Sequence, residues 1–177
     1  MNPRNRYKRG YDEMIRMAHA RDLDEVLEIV DKTVEVMSSQ NNPQWSKEYP
    51  ARSHFESDVA ARSLYVYETD DGIIGFICIN REEAQEYAGV SWSQDAPCFI
   101  LHRMAVTPSA RKKGIGMELI AFGENLAKEH RVYYLRTDTF SKNMGMNSLF
   151  KKCGFKKTGE VNFRGLTEPF NCYDKIL

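Results

Sequence analysis

Between residues 102 and 123 the sequence reads HRMAVTPSARKKGIGMELIAFG, and most of the side chains with evident chemistry stand there. An imidazole, His102, opens the stretch. Arg111, Lys112 and Lys113 then precede Gly114, Ile115, Gly116 and Met117, and an apolar segment of helical period follows. A strand, a turn and a helix start in that order make an anion site. The first N–H groups of a helix have no partner within it, and its dipole is positive at that end. Glycines let a bulky phosphate approach the backbone, and the basic residues add local charge. The same residues also suit a basic surface turn whose glycines serve tight packing. Two familiar phosphate loops do not fit. No glycine precedes Lys-Ser or Lys-Thr, and the third glycine position of a dinucleotide fingerprint is Leu119.

The elements that must position these residues follow from periodicity. Residues 11–18 suit an opening strand. From Ala20 a helix is expected, with Leu23, Val26, Leu27, Val30, Val34 and Met37 at three- and four-residue steps and Asp22 as N-cap. After the proline-rich stretch 41–50 a second short helix falls at 51–63. Two strands, SLYVYET and GIIGFICIN, meet at Asp70-Asp71-Gly72, a hairpin signature. Residues 81–95 read as a loop with one helical turn, and 98–106 as the strongest strand. A helix runs from the glycines to about His130, then a strand at 132–139, a helix at 143–154 closed by Gly154, and two terminal strands. The order β-α-α-β-β-β-α-β-α-β-β predicts one α/β domain over residues 1–177, a mixed and mostly antiparallel central sheet flanked by about four helices. Residues 1–10 are expected to be a frayed basic tail.

Composition narrows the function classes. The 177 residues are 42% apolar and 28% charged, as in ordinary globular proteins. Basic and acidic residues balance at 25 each, so no global field points to nucleic acid or a membrane surface. Cys78, Cys98, Cys153 and Cys172 form no zinc or redox spacing and read as reduced structural thiols. With no secretory or membrane-spanning run, the chain reads as cytoplasmic. His19, His54 and His130 read as surface or capping residues, and no metal site is expected.

The segment RKKGIG spells R-x-x-G-x-G, five residues after a strand ending MAV, with Val106, Pro108 and Arg111 spelling V-x-P-x-x-R. Farther on, NMGMNSLFKKCGF carries Asn143, Leu149, Gly154 and Phe155 at the spacing N-x-x-A-x-x-L-Y-x-x-x-G-F. These motifs and the element order resemble the Gcn5-related N-acetyltransferase family, strongly over about 98–155 and more loosely in the N-terminal third. The resemblance implies the acyl-CoA N-acyltransferase fold and acetyl transfer from acetyl-CoA, as co-substrate, to the primary amine of a small molecule or peptide. The pyrophosphate of CoA would lie on the turn from Arg111 through Lys112, Lys113, Gly114, Ile115 and Gly116 to Met117. The pantetheine arm would pair with backbone at Met104, Ala105 and Val106, and Asn143 would contact it. Asn143 also suits a helix N-cap. A homodimer is a family-level expectation only.

For catalysis the amine must lose a proton, and bringing an amine of pKa ~10.4 to neutrality costs about 4.6 kcal/mol. His102, sharing a strand face with Met104 and Val106, is the candidate base, and an imidazole near pKa 6.5 suits the task. Some relatives place a histidine here. Others use a glutamate two residues earlier, where this chain has Ile100. A buried, hydrogen-bonded histidine is the alternative. Phe150 stands where many relatives have a tyrosine that protonates the departing thiolate. Tyr173 is a candidate replacement acid, or else a core-edge aromatic. Lack of an acid also leaves open a non-catalytic acyl-CoA-binding module of the same fold. Trp45, Tyr49 and Phe55 would cradle the acceptor amine or pack the core, and Glu48, Glu56 and Asp58 offer charge of the right sign.

Overall fold

A computed structural model describes residues 14–177; the basic tail and the first residues of the expected opening strand lie outside them. One seven-stranded sheet runs in the order β1-β2-β3-β4-β5-β7-β6. Its strands are β1 (Ile15–Met17), β2 (Leu64–Thr69), β3 (Gly72–Asn80), β4 (Phe99–Val106), β5 (Tyr134–Phe140), β6 (Lys156–Val161) and β7 (Phe170–Ile176). The helices are α1 (Leu23–Ser39), α2 (Arg52–Ala60), α3 (Ile115–Glu129) and α4 (Met144–Lys152). This is the α/β architecture and element order the sequence implies. Strands β4 and β5 pair in parallel. The other pairs are antiparallel.

Alternating side chains divide the core by face. On one face Leu101, Leu135 and Tyr173 pack with Leu119 and Ile120 of α3 and Phe150 of α4. On the other, α1 and Phe55 of α2 cover Val66, Phe76 and Ala105. Farther along that sheet, Ile100, Tyr134 and Cys172 pack with Tyr87 and Phe170. Tyr87 belongs to a 3₁₀ turn at Gln85–Gly89, the helical turn expected in the loop after β3.

One capping expectation needs correction. Asp22 directly precedes α1 but makes no side-chain cap bond to it. Its carboxylate instead accepts from the His19 backbone N–H at 2.7 Å and from both terminal nitrogens of Arg16. A bidentate pair with a guanidinium outcompetes bonds to backbone N–H groups of the helix alone. The end of α4 follows expectation. Gly154 has φ +84°, the Phe155 N–H bonds the Phe150 carbonyl at 3.0 Å, and the two rings lie 5.6 Å apart. That left-handed closure with its apolar contact fixes Phe150 within the core.

Candidate functional site

The site begins where two parallel strands part. Strands β4 and β5 pair over Phe99–Leu101 and Leu135–Thr137, and the Thr137 hydroxyl closes the last rung by donating to the Leu101 carbonyl at 2.8 Å. Beyond it β4 continues to Val106, paired with β3 alone. The edge of His102–Val106 facing β5 therefore lacks a ladder partner, and such backbone groups require one. That edge carries the backbone of Met104, Ala105 and Val106, with the Val106 carbonyl already accepting from Arg111. His102 and Asp138 are the first residues past the split.

At the outer end of β4 the chain turns through 107–114 into α3. Gly114, at the N-cap, has φ +91°, a conformation that costs other residues about 1–2 kcal/mol. Gly116 has a different reason: a Cβ there would lie 3.0 Å from Leu149 Cδ2, so its absence lets α4 approach α3. Met117 and Glu118 donate to the Gly114 carbonyl, and the amides ahead of them open the helix. Lys112 and Lys113 are exposed beside them and Ile115 is buried, so its side chain anchors the turn. Arg111 faces inward rather than adding charge to this surface. Its Nε donates to the Val106 carbonyl at 3.0 Å and a terminal nitrogen to Thr33 of α1 at 3.2 Å. Arg111 thus braces the turn.

A cavity of about 310 Å³ occupies the split and is lined from both faces of the sheet. Asn143, Met146 and Phe150 approach from α4 and its start, with Met104 on β4. Trp45 and Tyr49 come from the α1–α2 loop, Tyr87 from the β3–β4 loop, and Phe163 and Arg164 from the β6–β7 loop. Gln44 ties these walls together. Its side-chain oxygen accepts from Asn143 at 2.7 Å and Thr139 at 3.3 Å, while its carbonyl accepts from Arg164 at 2.6 Å.

The charges in this cavity are unequal in environment. Arg103 is paired with Asp58 of α2 at 2.6 and 2.9 Å, which neutralises both. His102 Nε2 lies 2.8 Å from Asn80 Oδ1, an oxygen that also accepts the Glu82 N–H. A carbonyl oxygen only accepts, so Nε2 carries the proton and Nδ1 the lone pair. Burial, reinforced by the Arg103 charge, pushes His102 down to about 4, against Asp58 and a bond to the Glu82 backbone. The ordinary imidazole pKa expected from sequence therefore does not apply here. Asp138 shifts the other way. Burial raises its carboxyl to about 6, opposed by a 2.5 Å bond from the Tyr87 hydroxyl and by the Arg164 charge, with Glu86 adding to the rise.

The remaining expected residues are placed as follows. Trp45 and Tyr49 line the cavity, with Trp45 stacked over Phe76. Phe55 does not line it; fully buried, it packs edge-on against Phe76 in the core. Asn143 caps α4 by accepting from the Met146 N–H at 3.2 Å. Phe150 fills the space of a tyrosine ring, and no hydroxyl replaces it from Tyr173. That phenol is buried, does not line the cavity, and donates to Asn147 Oδ1 at 2.7 Å. The core-edge reading of Tyr173 is the one this geometry favours. Glu56 pairs with Arg52 at the surface. Asp138, Tyr87, Gln44 and Arg164 carry no motif signal. The one trace is a charge, Asp138, at an inward position of the strand YLRTDTF. Among the described residues no group of three or more His, Cys, Asp or Glu is placed to hold a metal, and no helix is long and apolar enough to cross a membrane.

Comparison with known proteins agrees with this geometry. The family model described as Acetyltransferase (GNAT) family matches residues 28–155. Probable N-acetyltransferase 14 of Xenopus tropicalis is 36% identical over 104 residues, covering 58% of this chain and 44% of the relative. The match thus spans less than half the length of that curated relative. An acetyltransferase of the GNAT family from Streptococcus agalactiae superposes with TM-score 0.80 at 21% identity, covering 92% of this chain and 94% of the other. Another from Listeria monocytogenes gives 0.73 at 22% identity over 92% and 94% of the two chains.

Proposed function

The chain belongs to the acetyltransferase (GNAT) family, and on that premise we propose that it transfers the acetyl group of acetyl-CoA to a primary amine in the split between β4 and β5. One observation carries the reading: the open edge of β4 leads from a cavity holding a carboxylate among aromatic rings toward the turn that starts α3. The amides from Lys112 to Met117 and the exposed lysines suit a pyrophosphate, and the open edge of β4 suits the pantetheine amides. Acetyl-CoA supplies an activated carbonyl; the chain must place the amine, remove its proton and hold developing negative charge.

The incoming ammonium would sit against Asp138, the one carboxylate lining the cavity among the described residues, with Trp45 and Tyr87 around it. The ammonium first gives one proton to a base; the neutral nitrogen then attacks, the N–C bond forms, the C–S bond breaks to give a thiolate, and the second nitrogen proton leaves to water. Two bases are available. Asp138, near 6, is about two units more basic than His102, near 4, a difference of about 2.7 kcal/mol in accepting the proton. A base works best close to ambient pH, so Asp138 is the favoured acceptor. His102 is the second reading, favoured by its place in the cavity, although the bulge of β4 at Arg103 turns it away from the strand face of Met104 and Val106 that alternation implied. A backbone N–H on the open edge of β4 would hold the oxyanion. With phenylalanine at position 150, the thiolate takes its proton from water.

The test is CoA-thiol release from acetyl-CoA over an amine panel, with binding of acetyl-CoA checked by native mass spectrometry. Wild-type protein is expected to turn over one amine class. Asp138→Asn should lose roughly 10²–10⁴-fold in kcat/KM, the range of general-base catalysis, and His102→Gln less than tenfold. The reverse ranking would make His102 the base. Binding without release on any amine would leave a non-catalytic acyl-CoA-binding module.

A further inference from the structure

We propose that the acceptor is a small amine that also bears an anionic group, its ammonium on Asp138 and its anion on Arg164, as in an α-amino acid. The inference rests on the acetyltransferase reading and deepens it to a substrate class.

Three charged side chains line the cavity among the described residues: Arg103, Asp138 and Arg164. Arg103 is already neutralised by Asp58 through two bonds. Arg164 has no such partner. It is exposed at the cavity wall, its charge reaches Asp138 without an ion pair among the described residues, and one terminal nitrogen donates to the Gln44 carbonyl at 2.6 Å. Its guanidinium is nonetheless held in place, 4.1 Å from the centre of the Tyr49 ring and 5.9 Å from that of Phe170. The backbone commits to this placement too. Arg164 has φ +53°, a left-handed conformation uncommon outside glycine. A planar fork held by a ring stack and one carbonyl, with further N–H donors to spare, is built to receive a carboxylate or similar anion.

Charge and size then define the ligand. A carboxylate and a guanidinium that face one cavity without an ion pair between them complement a zwitterion. A simple amine leaves the exposed Arg164 donors to water and gains nothing from them, and a polyamine meets a like charge, which is how a site rejects competitors. The cavity, about 310 Å³, lies at the lower bound of small-ligand sites near 300 Å³. Its α4 side must also take the acetyl-thioester end, beside Asn143, Met146 and Phe150. What remains suits an amino acid rather than an oligosaccharide antibiotic.

The experiment compares matched sets: common α-amino acids, their C-terminal amides and the corresponding decarboxylated amines, assayed by CoA release. Dipeptides with an N-terminal aspartate separate a side-chain anion from an α-carboxylate. Wild-type kcat/KM is expected to favour the anion-bearing member about 10- to 100-fold, the scale of hydrogen bonds to a charged group. Arg164→Gln should erase that preference by lowering kcat/KM for the α-amino acid about 10- to 100-fold more than for the decarboxylated amine, and Arg164→Lys should restore part of it. Equal or better turnover of amides and decarboxylated amines by wild-type protein would overturn the inference and leave the acetyltransferase reading standing. So would an anion preference that persists in Arg164→Gln. No release with any amine would overturn both.

Discussion

Asp138 and His102 sit at equivalent positions on two diverging strands, and burial acts on them in opposite senses. The carboxyl is held at about 6, above its ordinary 3.8, so the folded chain binds the extra proton between those values. Folding stability therefore falls as pH rises from about 4 to 6, by up to about 3 kcal/mol. The imidazole is held at about 4, below its ordinary 6.5, so the unfolded chain binds the extra proton there. That contribution falls as pH drops from 6.5 to 4, and the two slopes largely cancel. Urea midpoints across pH 4–7 resolve them. Asp138→Asn should be more stable than wild type at pH 7 and lose that advantage by pH 4. His102→Gln should gain on wild type as the pH falls. An Asp138→Asn protein destabilised at pH 7 would show that the carboxylate is there for the fold. A stabilising substitution that abolishes activity is the signature of a strained functional group.

At the scale of elements, the start of α3 and the β3–β4 loop hold the two ends of the site. Gly114→Ala meets no clash, its nearest neighbour being Glu118 Oε1 in ordinary contact at 3.7 Å from an added Cβ, so the cost is that of the backbone alone. A loss of about 1–2 kcal/mol is expected from the denaturant midpoint, with weaker acetyl-CoA binding as the turn shifts. The loop at 81–98 is latched to the sheet through buried Asp174. That carboxylate accepts from the Ser93 N–H at 2.7 Å, the Ser93 hydroxyl at 3.0 Å and the Tyr134 hydroxyl at 2.5 Å. Arg136 adds a bond to Glu83 at 2.7 Å and lies 4.6 Å from the Trp92 ring centre. Asp174→Ala should cost about 3 kcal/mol or more, because three donors lose a charged acceptor. It should also raise the acceptor KM more than the acetyl-CoA KM, since Tyr87 rides on this loop; equal effects on both would contradict the latch.

Over the whole molecule, what the sequence made legible was what is local in sequence. The strand, turn and helix at 98–130 lie in one stretch, so their spacing announced both the elements and an anion site. The role of Arg111 was not legible, because bracing Val106 depends on Thr33 arriving from α1. Nor were Asp138, Tyr87 and Arg164, which meet only because three loops close over a split whose position is set by pairing. The His102 acidity escaped because burial, which only the folded chain supplies, is its first cause, with the Arg103 charge second. The most direct test is the pH dependence of kcat/KM at saturating acetyl-CoA for wild type and Asp138→Asn. Tyr87 and Arg164 favour the ionised carboxylate and Glu86 opposes it. If Asp138 receives the proton, the wild-type rate rises to about pH 6 and then levels until the amine itself loses its proton. Asp138→Asn should instead track the neutral amine and keep climbing through pH 7–9. A wild-type profile that climbs in parallel with the variant would mean that solvent removes the proton, and would contradict the account.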